Sequence, residues 1–175
     1  MLKTAYFYQG ELYECIKQLF ETDSSSFFFL SYPQKDFFPQ IYATDFDFLQ
    51  FVSVDSMNNV IGYMSGKINH EYEKLENLEV INFSGRPNII FSKDILNYFD
   101  KVFLYKHLRK IEFSCVENNP CLAMYRRLMK KIDGNEVGIF HDSVKLTDGV
   151  FYNNVMFEII RENYQCAMKK ISILK

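Results

Sequence analysis

Apolar positions in the first half of the chain predict one helix followed by a run of strands. In GELYECIKQLFE (10–21) the apolar residues recur at spacings of three and four, which is typical of one face of a helix. FLQFVSVDSMNNVIGYMSGKIN (48–69) contains two β-rich runs around a turn-forming segment, 55–59, and predicts a hairpin. LENLEVINF (75–83) predicts a third strand, so the three strands form an antiparallel meander. The aromatic stretch 23–39 predicts a loop or a short helix.

The second half of the chain alternates helices and strands. SKDILNYFDKVFLYKHL (92–108) has helical apolar spacing behind Ser92, a typical N-cap residue. KIEFSCV (110–116) predicts a strand, and Asn119-Pro120 begins the next helix, because Asn can accept from the first free amides and Pro is tolerated at the first helical position. Residues 137–164 predict two more strands joined by a Gly-containing turn. This order predicts an α/β (mixed α+β) fold whose mixed sheet contains one parallel pair, formed across the crossover helix.

Composition and charge are those of an ordinary globular protein. The 175 residues predict a single domain spanning 1–175, with 48% hydrophobic and 24% charged residues. The formal net charge is -2 and the pI is about 5.9. Proteins that bind nucleic acid usually carry a clustered basic excess, so we expect no nucleic-acid partner.

The cysteines and histidines predict a reduced, cytoplasmic protein without a metal site. The four cysteines have no Cys-x-x-Cys spacing, no secretory leader precedes them, and the three histidines are isolated from one another. No stretch approaches the roughly 20 apolar residues of a membrane span. We therefore expect a soluble enzyme or binding domain with no membrane partner.

Three stretches together resemble the GNAT N-acetyltransferase superfamily, and within it the branch of the ribosomal-protein N-terminal acetyltransferases. FVSVDSMNNVIGYMSGKI (51–68) resembles the second and third strands of that family. LRKIEFSCVENNPCLAMYRRL resembles its fifth strand and fourth helix, where an Asn, here Asn118, is followed seven residues later by a Tyr, here Tyr125. DGVFYNNVMFEIIRENY (148–164) is similar to the closing hairpin of the branch. The resemblance covers roughly residues 48–164 and implies a central mixed sheet with helices on both faces.

The resemblance implies transfer of an acetyl group from acetyl-CoA to a primary amine by direct attack. By the family pattern, Tyr125 is the general acid that protonates the departing thiolate, and Asn118 hydrogen-bonds the cofactor or holds the loop. The strand Glu79 to Phe83 would contact the acyl end through its backbone, which places Ile81 and Phe83 among the cofactor-binding residues. Glu79 is the candidate base, although the position equally suits a surface strand residue. Helical spacing also places Tyr125 on a core stripe, together with Leu122, Met129 and Ile132.

The family binds the pyrophosphate of CoA in an Arg/Gln-x-x-Gly-x-Gly/Ala turn, and RPNIIFS occupies that place here. Arg86 and Ser92 keep their positions, but Pro87, Ile89 and Phe91 stand where the family tends to have Gly. Pro87 removes one amide donor, and the two large side chains restrict backbone approach. We still expect CoA to bind at the free amides of the helix start. The residues expected to contribute are Arg86, Asn88, Ile89, Ile90, Phe91 and Ser92.

The acceptor amine is not specified by the sequence. A protein N-terminus, an amino sugar and a small polyamine all suit the chemistry. The atypical loop also supports an alternative, a GNAT-like domain that has lost CoA binding and acts as a non-catalytic interaction module. A third hypothesis is a cytosolic ligand-binding protein that uses the aromatic segment 27–42 as a lid. The oligomeric state is not predicted.

Overall fold

The computed structural model describes residues 1–22, 28 and 38–173, and within them the chain forms seven strands and four α-helices. The predicted loop or short helix at 23–39 lies outside these residues except for Phe28, Phe38 and Pro39. A 3-10 turn follows the first strand, and a π-helical turn follows the second α-helix. The elements are β1 (Leu2–Thr4), α1 (Gln9–Thr22), β2 (Phe48–Val54), β3 (Val60–Asn69), β4 (Lys74–Asn82), α2 (Ile89–Asp100), β5 (Lys110–Val116), α3 (Leu122–Ile132), β6 (Asn135–Lys145), β7 (Phe151–Ile160) and α4 (Arg161–Ile173).

All seven strands lie in one mixed sheet with the order β1-β2-β3-β4-β5-β7-β6. Neighbouring strands are antiparallel except β4 and β5, which are parallel. The predicted α/β fold, the meander and the parallel pair across the crossover helix are therefore confirmed. The parallel pair is short, because Lys74 lies opposite Lys110 and Leu75 opposite Ile111, and the two strands separate beyond these residues.

Helices cover both faces of the sheet, as the sequence resemblance implied. On one face, Leu12 and Ile16 of α1 pack in a core with Val52, Tyr63 and Ile81. On the other face, a larger core contains Phe99 of α2, Met129 of α3 and Tyr164 of α4, together with residues of β2, β3, β4, β5 and β7. The strand β4 therefore lies between the two apolar cores. One of its faces packs towards α1, and the other packs towards α2, α3 and α4.

The helix α2 begins three residues earlier than predicted, so the expected N-cap role of Ser92 is wrong. Asn88 is the N-cap, and its side-chain oxygen accepts hydrogen bonds from the amides of Ile90 at 2.9 Å and Phe91 at 3.2 Å. Ser92 lies within the first turn, where its hydroxyl donates to the Asn88 carbonyl at 2.9 Å. The sequence offers two good capping residues four positions apart, and the first of them begins the helix.

The closing strand ends earlier than predicted, because residues 161–173 form the helix α4. Tyr164 fixes this helix on the sheet. Its hydroxyl donates to Asp100 Oδ1 at 2.9 Å, and its ring lies 5.0 Å from that of Phe103. The aromatic and polar partners of Tyr164 are about 60 residues away along the chain, so the local strand-like pattern did not reveal the helix.

Gly62 on β3 allows α2 to approach the sheet closely. A Cβ atom at Gly62 would lie 2.1 Å from Phe91 Cε2 and 2.9 Å from the Ile81 carbonyl oxygen. We expect Gly62→Ala to lower the free energy of unfolding by about 1–3 kcal/mol, because the added methyl group displaces a buried ring. Denaturant unfolding measures this change.

Gly138 provides the matched control, because a Cβ atom there would meet nothing within 4 Å. Gly138→Ala should leave the unfolding midpoint nearly unchanged. Combining Gly62→Ala with Phe91→Leu should recover part of the loss, since the smaller side chain vacates space beside residue 62. Equal midpoints for Gly62→Ala and the parent protein would contradict the proposed contact.

Candidate active site

The gap between β4 and β5 is the structural centre of the candidate site. Next to this gap, β4 has a bulge in its pairing with β3. Ser65 lies opposite Glu79 and Lys67 opposite Glu76, so β4 carries one extra residue in this interval. Asn77 within the bulge has a φ of 54°. Beyond Leu75, the edge of β4 that faces β5 has no strand partner. Backbone amides on that edge are thus available to a carbonyl oxygen placed between the strands.

Tyr125 of α3 lies beside the separated part of β5. Its ring packs edge-on against Phe113 with the centroids 5.1 Å apart, and it lies 6.2 Å from Phe157. No described residue hydrogen-bonds to its hydroxyl group. Burial raises the pKa of Tyr125, with smaller contributions from the nearby thiols of Cys121 and Cys115. Tyr125 therefore joins the core through its ring while its hydroxyl keeps its proton and has no described partner.

The turn before α3 is built by Asn119. The side-chain oxygen of Asn119 accepts from the Cys121 amide at 2.9 Å, and its carbonyl accepts from the Leu122 amide at 2.9 Å. Asn119 makes the predicted contact, but regular helix begins at Leu122, two residues after Pro120. Asn118 is exposed at the same turn, at the end of β5. It is positioned for solvent or a ligand, and its predicted cofactor contact stays a prediction.

Glu79 points to the face of β4 that carries α1. It is half-buried, and its Oε2 accepts a hydrogen bond from the Ser65 hydroxyl at 2.8 Å. Burial raises the pKa of Glu79, and the Ser65 hydrogen bond partly offsets this rise. A carboxylate with a raised pKa binds a proton more readily than a surface carboxylate does, which is the property of a general base. A half-buried carboxylate with one hydrogen bond also suits the alternative role as a surface strand residue, so the base role of Glu79 stays a prediction.

Ile81 of β4 and Phe83 just after it, both predicted to bind the cofactor, serve mainly as packing residues. Ile81 is 2% exposed and belongs to the core beneath α1. Phe83 is half-buried against that core, and its amide donates to the Ile61 carbonyl at 3.0 Å. Any contact of Ile81 with a bound acyl group would therefore involve the backbone of β4.

The loop between β4 and α2 is held by Asn82, which the sequence analysis did not identify. Asn82 Oδ1 accepts from the amide of Ser84 at 3.0 Å and from its hydroxyl at 2.6 Å, and Asn82 Nδ2 donates to the Arg86 carbonyl at 2.9 Å. This is the local Asx-turn bonding that an Asn-x-Ser sequence favours, and it was the available signal. The Arg86 side chain is exposed and carries its charge beside the start of α2.

The three apolar residues at the start of α2 face different environments. Ile89 is 73% exposed, Ile90 is half-buried, and Phe91 is 5% exposed beside Gly62. Of these three side chains, only that of Ile89 is exposed at the helix start. The expectation that Phe91 also keeps a ligand away from the backbone is wrong, because its ring points into the core. The amides of Ile90 and Phe91 already donate to Asn88.

The described part of the chain offers little support for other kinds of site. None of the four cysteines, all of them within the described residues, forms a disulfide bond. Within residues 1–22, 28 and 38–173, no three His, Cys, Asp or Glu side chains are grouped closely enough to hold a metal ion. Over the same residues, the helices are too short or too polar for any of them to cross a membrane.

Comparison with solved structures identifies the fold. No protein-family model matches the chain, and no curated protein matches its sequence. Among similar solved structures, a mutant of the spermidine N-acetyltransferase SpeG from Vibrio cholerae has a TM-score of 0.59 at 21% identity, covering 69% of this chain and 68% of its own. The chain has the GNAT fold.

Two further structures agree with this GNAT fold. The spermidine/spermine N-acetyltransferase SpeG from Vibrio cholerae in complex with manganese ions has a TM-score of 0.58 at 21% identity, with 69% of each chain covered. A presumed acetyltransferase has a TM-score of 0.61 at 16% identity, covering 74% of this chain and 67% of its own. At these low identities, the structural similarity shows the fold alone. The ribosomal-protein branch, the single-domain boundary and the cytoplasmic location stay predictions.

Proposed function

We propose that this protein transfers an acetyl group from acetyl-CoA to an amine. One observation carries the proposal: Tyr125 packs on β5 and Glu79 lies on β4 beyond the point where these two strands separate, and the two residues lie on opposite faces of the sheet. Tyr125 belongs to the core on the α2 and α3 face, whereas Glu79 shares the other face with α1. A thioester lying in the gap would have a proton donor on one side and a proton acceptor on the other.

Each residue has one role in the proposed reaction. Acetyl-CoA supplies the activated acyl group as a thioester. Glu79 takes a proton from the acceptor ammonium, so that the neutral amine can attack the carbonyl carbon. Free amides on the edge of β4 stabilise the oxyanion that forms. The new C–N bond forms, the C–S bond breaks, and Tyr125 gives its hydroxyl proton to the departing thiolate. The second proton lost by the attacking nitrogen restores the Tyr125 hydroxyl, and Glu79 releases the first proton to solvent.

The start of α2 supports CoA binding, but less fully than a glycine-rich turn would. The amide of Ile89 and the charge of Arg86 are available to phosphate, and a helix N-terminus attracts anions. The Asn88 side chain competes for the amides of Ile90 and Phe91. This competition and the exposed Ile89 side chain favour a second candidate function, the non-catalytic interaction module. The ligand-lid hypothesis rests on 27–42, most of which lies outside the described residues.

Three acceptor classes stay open: a protein N-terminus, an amino sugar and a small polyamine. The SpeG proteins of the same fold are described as acting on spermidine or spermine. A small polyamine is therefore the first acceptor to assay, followed by a peptide with a free N-terminus. The acceptor enters on the α1 face, where Glu79 lies.

Calorimetry with CoA and acetyl-CoA tests the proposal directly. We expect binding to the parent protein and binding that is several-fold tighter in Ile89→Gly, because the exposed side chain beside the helix start is removed. Met57→Gly removes another exposed apolar side chain, 77% exposed in the β2–β3 turn, and should leave the affinity unchanged. An absence of binding at millimolar CoA in the parent protein would favour the non-catalytic module.

A further inference from the structure

We infer that Ser114 of β5, held in place by Asn154 of β7, binds the acceptor amine opposite Glu79 across the gap between β4 and β5. This inference deepens the proposed function and rests on it. It assigns two residues that the acid and base roles do not use, and both lie on the other side of the gap from the candidate base.

The strand register places Ser114 level with Glu79. Leu75 lies opposite Ile111, and the two strands separate beyond this pair. Glu79 is four residues beyond Leu75, but one of these four is the extra residue of the bulge. Ser114 is three residues beyond Ile111. Each of the two side chains therefore lies three strand positions beyond the last paired residues.

Both side chains also lie on the α1 face of the sheet. Side chains alternate between the two faces of a strand, and the neighbours of Ser114, Phe113 and Cys115, belong to the core on the opposite face. Ser114 therefore points to the face on which Glu79 lies. The core beneath α1 contains residues of β2, β3 and β4 but no described residue of β5 or β7. This part of the face is open, and Ser114 is exposed there to an incoming amine.

Asn154 holds the Ser114 hydroxyl group and leaves it able to bind a ligand. Asn154 Nδ2 donates to Ser114 Oγ at 2.9 Å. A serine oxygen has two lone pairs, so Ser114 keeps one of them for a second donor. No described residue donates to that lone pair. An N–H group of the acceptor amine is a donor of the required kind.

The other carboxylates on this face of β5 and β7 are already paired with lysines. Lys110 Nζ lies 2.6 Å from Glu112 Oε1 and 3.0 Å from Glu158 Oε2. Lys74 of β4 also pairs with Glu112. Glu79 forms no ion pair with a described residue, and its recorded hydrogen bond comes from a neutral hydroxyl group. An ammonium group that enters this face is therefore attracted to Glu79 rather than to the paired carboxylates.

A second contact is needed because the reaction removes the charge of the acceptor. The ammonium form is attracted to the Glu79 carboxylate, and this attraction is lost once Glu79 has taken the proton. Ser114 then accepts a hydrogen bond from one of the remaining N–H groups. The neutral nitrogen thus stays beside the gap, held from β5 while it attacks the thioester.

An NMR titration with n-propylamine tests the inference without acetyl-CoA. This probe carries only the primary amine that the three acceptor classes share. We expect saturable binding to the parent protein and a dissociation constant about fivefold higher in Ser114→Ala, because one hydrogen bond to the amine is lost. Asn154→Ala should raise the dissociation constant by about two- to threefold, because the Ser114 oxygen is no longer held. Ser114→Thr keeps the hydroxyl group and should bind the probe as the parent does.

Ser143→Ala is the matched control, because Ser143 is an exposed serine of the edge strand β6, outside the candidate site. It should leave the dissociation constant unchanged. The inference would be overturned by an absence of saturable binding to the parent. It would equally be overturned by a dissociation constant in Ser114→Ala within twofold of that of the parent.

An acetyl-transfer assay then separates this inference from the proposed function. In Ser114→Ala, we expect the KM for the amine to rise about fivefold while the KM for acetyl-CoA is unchanged. A parent protein without acetyl transfer, but with amine binding that depends on Ser114, would reject the proposed function and retain the amine site. An active parent whose KM for the amine is the same in Ser114→Ala would overturn the amine site and retain the proposed function.

Discussion

Replacing Tyr125 by phenylalanine is expected to lower kcat by about 10²-fold or more while leaving CoA affinity and thermal stability nearly unchanged. The ring contacts with Phe113 and Phe157 need no hydroxyl, so the core around α3 is retained. The lost proton donor leaves the thiolate to depart without protonation. Steady-state kinetics at saturating acetyl-CoA, calorimetry and thermal unfolding together measure the three expected results.

Tyr152→Phe is the matched control, because Tyr152 is a tyrosine of the closing hairpin whose hydroxyl donates to Asp148 at 2.7 Å, outside the candidate site. It should keep the activity of the parent. Burial raises the pKa of Tyr125 above its usual value of about 10, so its hydroxyl stays protonated at neutral pH. A fall in rate on the basic side of the pH profile that begins below about pH 10 therefore belongs to another group. An active Tyr125→Phe variant would reduce Tyr125 to a core residue, and equal losses of stability and activity would do the same.

Local patterns predicted the sheet well where the determining contacts are local. The β2–β3 hairpin is an example: Asp55 Oδ1 accepts from the amides of Met57 and Asn59, and Asn58 adopts a φ of 68°. These are turn preferences of Asp and Asn that the sequence displays directly. The parallel pair also followed from element order, since a single crossover helix brings two strands side by side in the same direction.

The errors in the fold arise where distant residues decide the structure. The start of α2 depends on Phe91 packing over Gly62, which brings Asn88 rather than Ser92 to the capping position. The helix α4 depends on Tyr164 reaching Asp100 across 64 residues. Neither contact has a periodic signature in the sequence. Capping preference therefore gave the wrong start for α2, and local alternation gave the wrong end for β7.

The candidate site could be predicted only in part for a similar reason. The ring of Tyr125 packs against the core, as its helical spacing predicted, and its hydroxyl group has no described partner. The general-acid role that the resemblance implies stays a prediction. The hydrogen-bond partner of Glu79 could not be predicted, since Ser65 meets it through strand register next to a bulge in β4. Register follows from the complete set of cross-strand contacts and not from any one segment.

Glu79→Gln is expected to lower kcat/KM by about 10²- to 10³-fold without lowering stability at neutral pH. Glutamine keeps the size of the side chain and an oxygen that accepts from Ser65, but it cannot take the proton of the amine. Kinetics with the acceptor found by assay measure the loss. Glu76→Gln is the matched control on the same strand, because Glu76 pairs with Lys74 at 3.5 Å and not with Ser65, and it should retain activity.

Stability provides a second test of Glu79→Gln, because this substitution is expected to raise stability while it lowers activity. Burial raises the pKa of Glu79 in the folded state, so the folded protein binds this proton more tightly than the unfolded chain does. The parent therefore loses stability through Glu79 as the pH rises from the unfolded pKa of about 4.3 through the higher folded pKa. Glutamine does not ionise, so the melting temperature of Glu79→Gln relative to the parent should increase over that range and then level off. If the difference in melting temperature between Glu79→Gln and the parent is constant from about pH 4 to 8 and the kinetics are unchanged, Glu79 is a strand residue without a catalytic role.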